Sequence, residues 1–235
     1  QAARSAIERV KPSVVAVGTL QRTRTPPFRF LGTGFAVGDG RLIATNAHVL
    51  PAVLGAGAEP EFLAVLPPAR DAGAARAVEA VRVAVDEDHD LALLRLVSGA
   101  LPPLALAAGD AVGEGDQLLF TGFPIGAVLG PFPVTHRAMV AAVTPIAIPP
   151  PSAGALEPRM VRRLQSGAFP VYQLDATAYP GNSGSPLYDP ASGEVVGILN
   201  MVFVKGMKES ALAQPSGISY AIPVRHLRAL LERAR

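Results

Sequence analysis

Cysteine and tryptophan are both absent from the 235-residue chain. Without cysteine there is no disulfide framework, no thiolate nucleophile and no thiolate metal ligand, although an oxidising compartment is not excluded. Charge is scarce as well: charged side chains make up 17% of the chain and the formal net charge is +2, a balance that gives no electrostatic footprint for nucleic acid. Two stretches, Leu118 to Thr135 and Ala138 to Leu156, lack charge over about the length of a membrane span. Prolines cut both (Pro124, Pro131 and Pro133 in the first; Pro145, Pro149, Pro150 and Pro151 in the second), so neither reads as a transmembrane helix. The chain opens on Gln1 rather than methionine, which leaves room for a signal peptide or membrane anchor upstream.

What is present points to a folded, strand-rich protein. Hydrophobic residues reach 49%, too many for a disordered chain. The 23 glycines and 23 prolines would interrupt long helices and favour short strands joined by turns. About six strand candidates precede residue 108, among them "SVVAVGTL", the Asp-Gly hairpin "GTGFAVGDGRLIAT", "EFLAVLPP", "AVRVAVDED" and "DLALLRL". A second set of about six follows, from "DQLLFTGFP" to "GISYAIP". Short helices are expected at "AARSAIER" and "PVRHLRALLERAR". The expectation is an all-β chain of two barrels, residues 1–108 and 109–235, linked around residues 100–112. Pro145 to Pro170, with basic Arg159, Arg162 and Arg163, reads as a long surface loop.

One segment raises a chemical question. "YPGNSGSPLYD" sets Ser183 between Gly181 and Gly184, directly after Pro180, a composition suited to a tight turn with a hydroxyl at its tip. A serine nucleophile needs a base, and a base needs an orienting acid. Of the four histidines, His89, His136 and His226 read as surface or structural, His226 near the helix end where the dipole favours a cation. His48 follows the apolar strand of "LIATNAHV", at a corner that would hold its ring firmly. Asp90 heads the apolar strand Leu91 to Leu96 and can be drawn inward with it, whereas Asp86 and Asp88 read as solvated turn residues and Asp175 as a structural loop residue. The chain order His48, Asp90, Ser183 and the lack of strand–helix alternation exclude an α/β-hydrolase, whose order is Ser, Asp, His. No H-E-x-x-H pattern supports a zinc site, and no cofactor is expected.

That order within two all-β halves is the chymotrypsin-like one. The segments "GTGFAVGDGRLIATNAHVL", "DHDLALLRL", "YQLDATAYPGNSGSPLYDPASGEVVGILN" and "GISYAIPV" resemble bacterial trypsin-like serine proteases of the HtrA/Deg type, over nearly the whole chain and in the family's order. The resemblance implies two perpendicular six-stranded barrels with the active site between them, and a periplasmic or secreted endopeptidase acting on protein or peptide substrates. It implies Ser183 as nucleophile, His48 as base and Asp90 as its support. The backbone N–H groups of the Gly181–Asn182–Ser183 turn, those of Gly181 and Ser183 foremost, would form the oxyanion hole. A pocket base is implied at Thr177, with Asn200, Met201 and Val202 on its wall. Asn200 also aligns with the position that supports the aspartate. Tyr179 and Ser185 depart from the family's usual residues. Asn182 has no charge to pair with a new N-terminus, so cleavage is not the expected activation; loop order around Ser183 is. The alternative is a catalytically silent domain kept as a binding module.

Overall fold

Strand β1 (Val14–Leu20), sequence VVAVGTL, is buried along almost its whole length. A strand whose outer face meets water would alternate. β1 does not, because each of its faces meets a different core. Val15 and Val17 join Ala36, Ile43, Val65 and Leu94 in one apolar cluster. Val14 and Ala16 join a second, with Phe35, Leu91, Leu93, Tyr188, Ile198 and Ile222. The first cluster fills a barrel; the second is the seam between two barrels.

The computed structural model describes residues 1–69, 75–124, 132–146, 169–201 and 216–235. β1, β2 (Phe28–Val37), β3 (Leu42–Thr45), β4 (Phe62–Leu66), β5 (Val78–Asp86) and β6 (Leu91–Leu96) close into a barrel in the order β1-β2-β3-β6-β5-β4. β7 (Gln117–Gly122), β8 (Val134–Ile146), β9 (Phe169–Ala178), β10 (Pro186–Tyr188), β11 (Val195–Asn200) and β12 (Ser216–Pro223) repeat that pattern as β7-β8-β9-β12-β11-β10. Leu118, Phe120, Val140, Tyr172, Leu174, Leu187 and Leu199 fill the second barrel. The all-β, two-barrel expectation is met. Between β6 and β7 the chain is stitched to both barrels: Leu104 N–H donates to Ala36 O (2.9 Å) and Ala107 N–H to Val195 O (2.8 Å).

The loop expected from Pro145 to Pro170 is narrower than the sequence implies. Both prolines belong to strands and pair with each other across β8 and β9. A proline at a strand end costs the ladder little. Residues 147–168, with Arg159, Arg162 and Arg163, lie outside the described residues.

Helix α1 (Ala2–Val10) lays Ala6 and Val10 into the seam, and α2 (Val224–Arg233) lays Val224, Leu227 and Leu230 there. His226 falls in the first turn of α2 rather than near its C-terminal end, so the helix dipole disfavours its charge. Its ring stacks on His89 (centroids 3.8 Å apart) and meets Phe169 edge-on. Asp86 also departs from expectation. It is buried, accepts from His89 N–H (3.2 Å), lies 2.8 Å from His89 Nδ1 and pairs with Arg233 (3.3 Å). The docked helix is what encloses it.

This cluster makes stability pH-dependent. Burial, with His89 and Arg225 nearby, lowers the His226 pKa to about 4 against the pull of Asp86 and Asp110. Burial pushes Asp86 up, but the hydrogen bonds and charge of His89, with Arg233, outweigh it and hold the carboxyl at about 2. Between pH ~6.5 and ~4 the unfolded chain binds a proton at residue 226 that the folded chain refuses, so stability falls as pH falls through that window. The Asp86 contribution is lost below it. For a half-buried ring the first loss is on the order of 1–2 kcal/mol after solvent screening. His226→Phe keeps the stack and removes the titration. Its urea midpoint should change less than the wild type's between about pH 7 and pH 4.5; an equal change would refute the assignment.

Candidate active site

Asp90 sits where a tight turn delivers β5 into β6, with φ of 52°, a left-handed conformation that aspartate tolerates better than most residues. The turn points its carboxylate inward, and Asp90 is 5% exposed. Its backbone carbonyl accepts from Ala47 N–H (3.1 Å) and from the Asn46 side-chain amide (3.0 Å). Its Oδ1 accepts from His48 N–H (2.7 Å) and its Oδ2 from Asn200 Nδ2 (2.8 Å). Both carboxylate oxygens thus accept from N–H donors.

His48 lies in the 3₁₀ turn Ala47–Val49 that follows β3. Its Nδ1 is 2.5 Å from Asp90 Oδ2 and its Nε2 is 3.2 Å from Ser183 Oγ. An ionised carboxylate can only accept, so Nδ1 carries the ring proton and Nε2 presents its lone pair to the serine hydroxyl. Ser183 Oγ in turn accepts from Met201 N–H (3.1 Å). Three residues separated by up to 135 positions are thus brought into one hydrogen-bonded line across the seam.

The backbone ahead of the serine is arranged differently from expectation. Pro180–Asn182 form a 3₁₀ turn in which Asn182 N–H donates to Tyr179 O (2.9 Å) and Ser183 N–H to Pro180 O (3.2 Å). The Ser183 N–H expected to receive an oxyanion is therefore spent inside the turn. Freeing it requires the Pro180–Gly181 peptide to rotate, which roughly inverts the sign of φ at Gly181. That residue is not left-handed here, and only glycine takes either sign freely. The closed turn also leaves the buried side-chain amide of Asn182 with no partner among the described residues. Gly184 is left-handed at φ 91°, and a Cβ there would lie 1.9 Å from Thr33 O. The chain after the nucleophile can pass that close to β2 only as glycine.

The residues expected around a pocket are not brought together. Thr177 is exposed on the outer face of β9, as is Asp175 two residues earlier. Met201 is 5% exposed and packs into the second barrel. Asn200 is fully buried with its amide on Asp90, so neither side chain forms a wall. β11 is buried on both faces, so consecutive residues at its end are covered whichever way they point, which counting from the serine cannot reveal. Val202 lies outside the described residues. His136 is half-buried and stacked on Phe120, and burial lowers its pKa. Sequence reading missed Thr33, Asn46 and the Met201 N–H. For Thr33 a signal existed: a polar residue between two glycines inside an apolar strand marks close backbone approach. Among the described residues no cluster of histidine and carboxylate side chains could hold a metal ion.

The sequence model of the trypsin-like peptidase domain matches residues 32–198, a span that holds all three residues of the line. The chain belongs to that family. It is 28% identical over 82% of its length to the Hahella chejuensis protein named "Probable periplasmic serine endoprotease DegP-like", of which it covers 33%. It is 31% identical over 97% of its length to bovine mitochondrial serine protease HTRA2, covering 42% of that protein. The domain thus spans about a third of the length of the first of these curated relatives. Among solved structures, the Rv3671c protease of M. tuberculosis superposes in its active form (TM-score 0.68, 23% identity) and in its inactive form (TM-score 0.66, 22% identity). Each superposition covers 97% of this chain, with 83% of the active-form chain and 92% of the inactive-form chain. At that identity the likeness speaks for the fold.

Proposed function

We propose that this trypsin-like domain is a serine endopeptidase, with Ser183 as nucleophile, His48 as general base and acid, and Asp90 as the support of His48. The observation that carries the reading is the placement of His48 Nε2 3.2 Å from Ser183 Oγ while Nδ1 lies 2.5 Å from Asp90 Oδ2. Ser183 Oγ attacks the scissile carbonyl as its proton passes to Nε2. The carbonyl π electrons move onto oxygen, and the oxyanion takes the N–H groups of Gly181 and Ser183 once the turn has opened. Collapse breaks the C–N bond, with the proton going from Nε2 to the leaving amine and the acyl group staying on Ser183. Water, deprotonated by Nε2, then releases the acid and restores the serine. The DegP-like relatives favour a periplasmic or secreted setting and protein substrates. No helix among the described residues is long and apolar enough to cross a membrane.

The closed turn favours one second reading, a silent domain in which Ser183 N–H never leaves Pro180 O. A fluorophosphonate probe separates the two. Labelling that is lost in Ser183→Ala supports the enzyme; no labelling of the wild type, with or without peptide, supports the silent domain.

A further inference from the structure

Thr33 lies on β2, in the barrel that carries His48, yet most of its polar contacts are with the other barrel. Its hydroxyl donates to Gly181 O (2.8 Å) and accepts from Phe123 N–H (3.1 Å). Its own N–H donates to Ser183 O (2.9 Å). Its carbonyl accepts from Thr45 Oγ1 (2.7 Å), three residues ahead of His48. Thr33 and Thr45 are both fully buried. A single residue therefore grips the serine loop on both sides of Asn182, and is itself gripped by the segment that delivers the base.

The placement of these grips has a mechanical consequence. Opening the turn rotates the peptide between Pro180 and Gly181 and takes Pro180 O off Ser183 N–H. The Gly181 carbonyl belongs to the next peptide. If that peptide swung too, Ser183 would be carried away from His48, and a geometry built to about half an ångström would be lost. A hydrogen bond to the Gly181 carbonyl stops the motion at that residue.

We propose that Thr33 is the positioning residue of the nucleophile turn, its hydroxyl holding the Gly181 carbonyl fixed while the Pro180–Gly181 peptide rotates to release Ser183 N–H. The proposal rests on the protease reading for its catalytic consequence, but the hold on the turn is a property of the fold and is measured separately.

The test compares Thr33→Val, which keeps the shape and removes the hydroxyl, with Thr33→Ser, which restores it. Amide hydrogen exchange reads the turn without any turnover. In Thr33→Val the amides of Phe123, Asn182 and Ser183 should exchange at least about tenfold faster while those of Leu94 and Leu174 in the barrels stay protected, and Thr33→Ser should match the wild type. For catalysis, kcat per fluorophosphonate-titrated site should fall at least about tenfold in Thr33→Val with KM within about twofold, and recover in Thr33→Ser. Wild-type exchange in Thr33→Val, or no recovery in Thr33→Ser, overturns the proposal. Should Thr33→Val unfold, exchange of the wild type with a peptide boronic acid bound decides. Phe123 N–H stays protected as the Ser183 resonance shifts if Thr33 is the fixed point, and both change together if it is not. A wild type that no fluorophosphonate labels refutes the protease reading, and the exchange arm still judges Thr33.

Discussion

Asp90→Asn is expected to lower kcat about 10⁴-fold, near 5 kcal/mol of transition-state stabilisation at 1.36 kcal/mol per decade. The size follows from the donors around the carboxylate. Oδ1 receives His48 N–H, and Oδ2 receives Asn200 Nδ2 and faces His48 Nδ1. Asparagine has one oxygen to offer where three donors converge. If its oxygen stays with His48 N–H, its NH₂ meets Nδ1, and the ring must move its proton to Nε2 to accept from it. Nε2 then points an N–H at Ser183 Oγ and can no longer take the serine proton. The measurement is kcat on a cleaved peptide, with Asp88→Asn and Asp175→Asn as exposed controls. A loss below about tenfold in Asp90→Asn, or an equal loss in either control, would remove Asp90 from its role.

That Asp90 rather than its neighbours holds His48 was legible because the signal is local. An apolar strand begins at the next residue, and a strand drawn into a core takes its first residues with it. The barrels were legible for the same reason, since alternation, Asp-Gly turns and β-branched runs are written within a few residues of each other. What escaped was set by distant partners. Asp86 reads as a turn residue in "DEDHD", and only the docking of Arg233 and His226 from the terminal helix makes it a buried anion. Thr33 is marked by its flanking glycines as a point of close approach, but what approaches is fixed only when the second barrel arrives against it. The closed turn could not be read at all, because Pro-Gly-Asn-Ser permits both orientations of its first peptide.

Gly181→Ala is the other substitution expected to be severe, because two independent obstacles meet at that Cα. In the closed turn a Cβ would lie 2.2 Å from Phe123 O and 2.7 Å from Pro124 O. Both are backbone atoms, which cannot swing aside as a side chain end can. In the open turn the obstacle is conformational, since rotation of the Pro180–Gly181 peptide takes residue 181 into the positive-φ region that alanine enters at a cost of roughly 1–2 kcal/mol. The variant is squeezed in one state and strained in the other, and neither aims the residue 181 N–H correctly. Loss of one oxyanion donor costs about 10²–10³ in kcat. A fall of that order in Gly181→Ala is therefore expected, measured per titrated site so that unfolded protein is not counted. The His48–Asp90 proton should remain far downfield in the NMR spectrum, because Gly181 contacts neither residue. A kcat within about tenfold of wild type would mean that the Gly181 N–H does not serve the oxyanion. Loss of the downfield proton together with activity would mean instead that the substitution had broken the seam between the barrels.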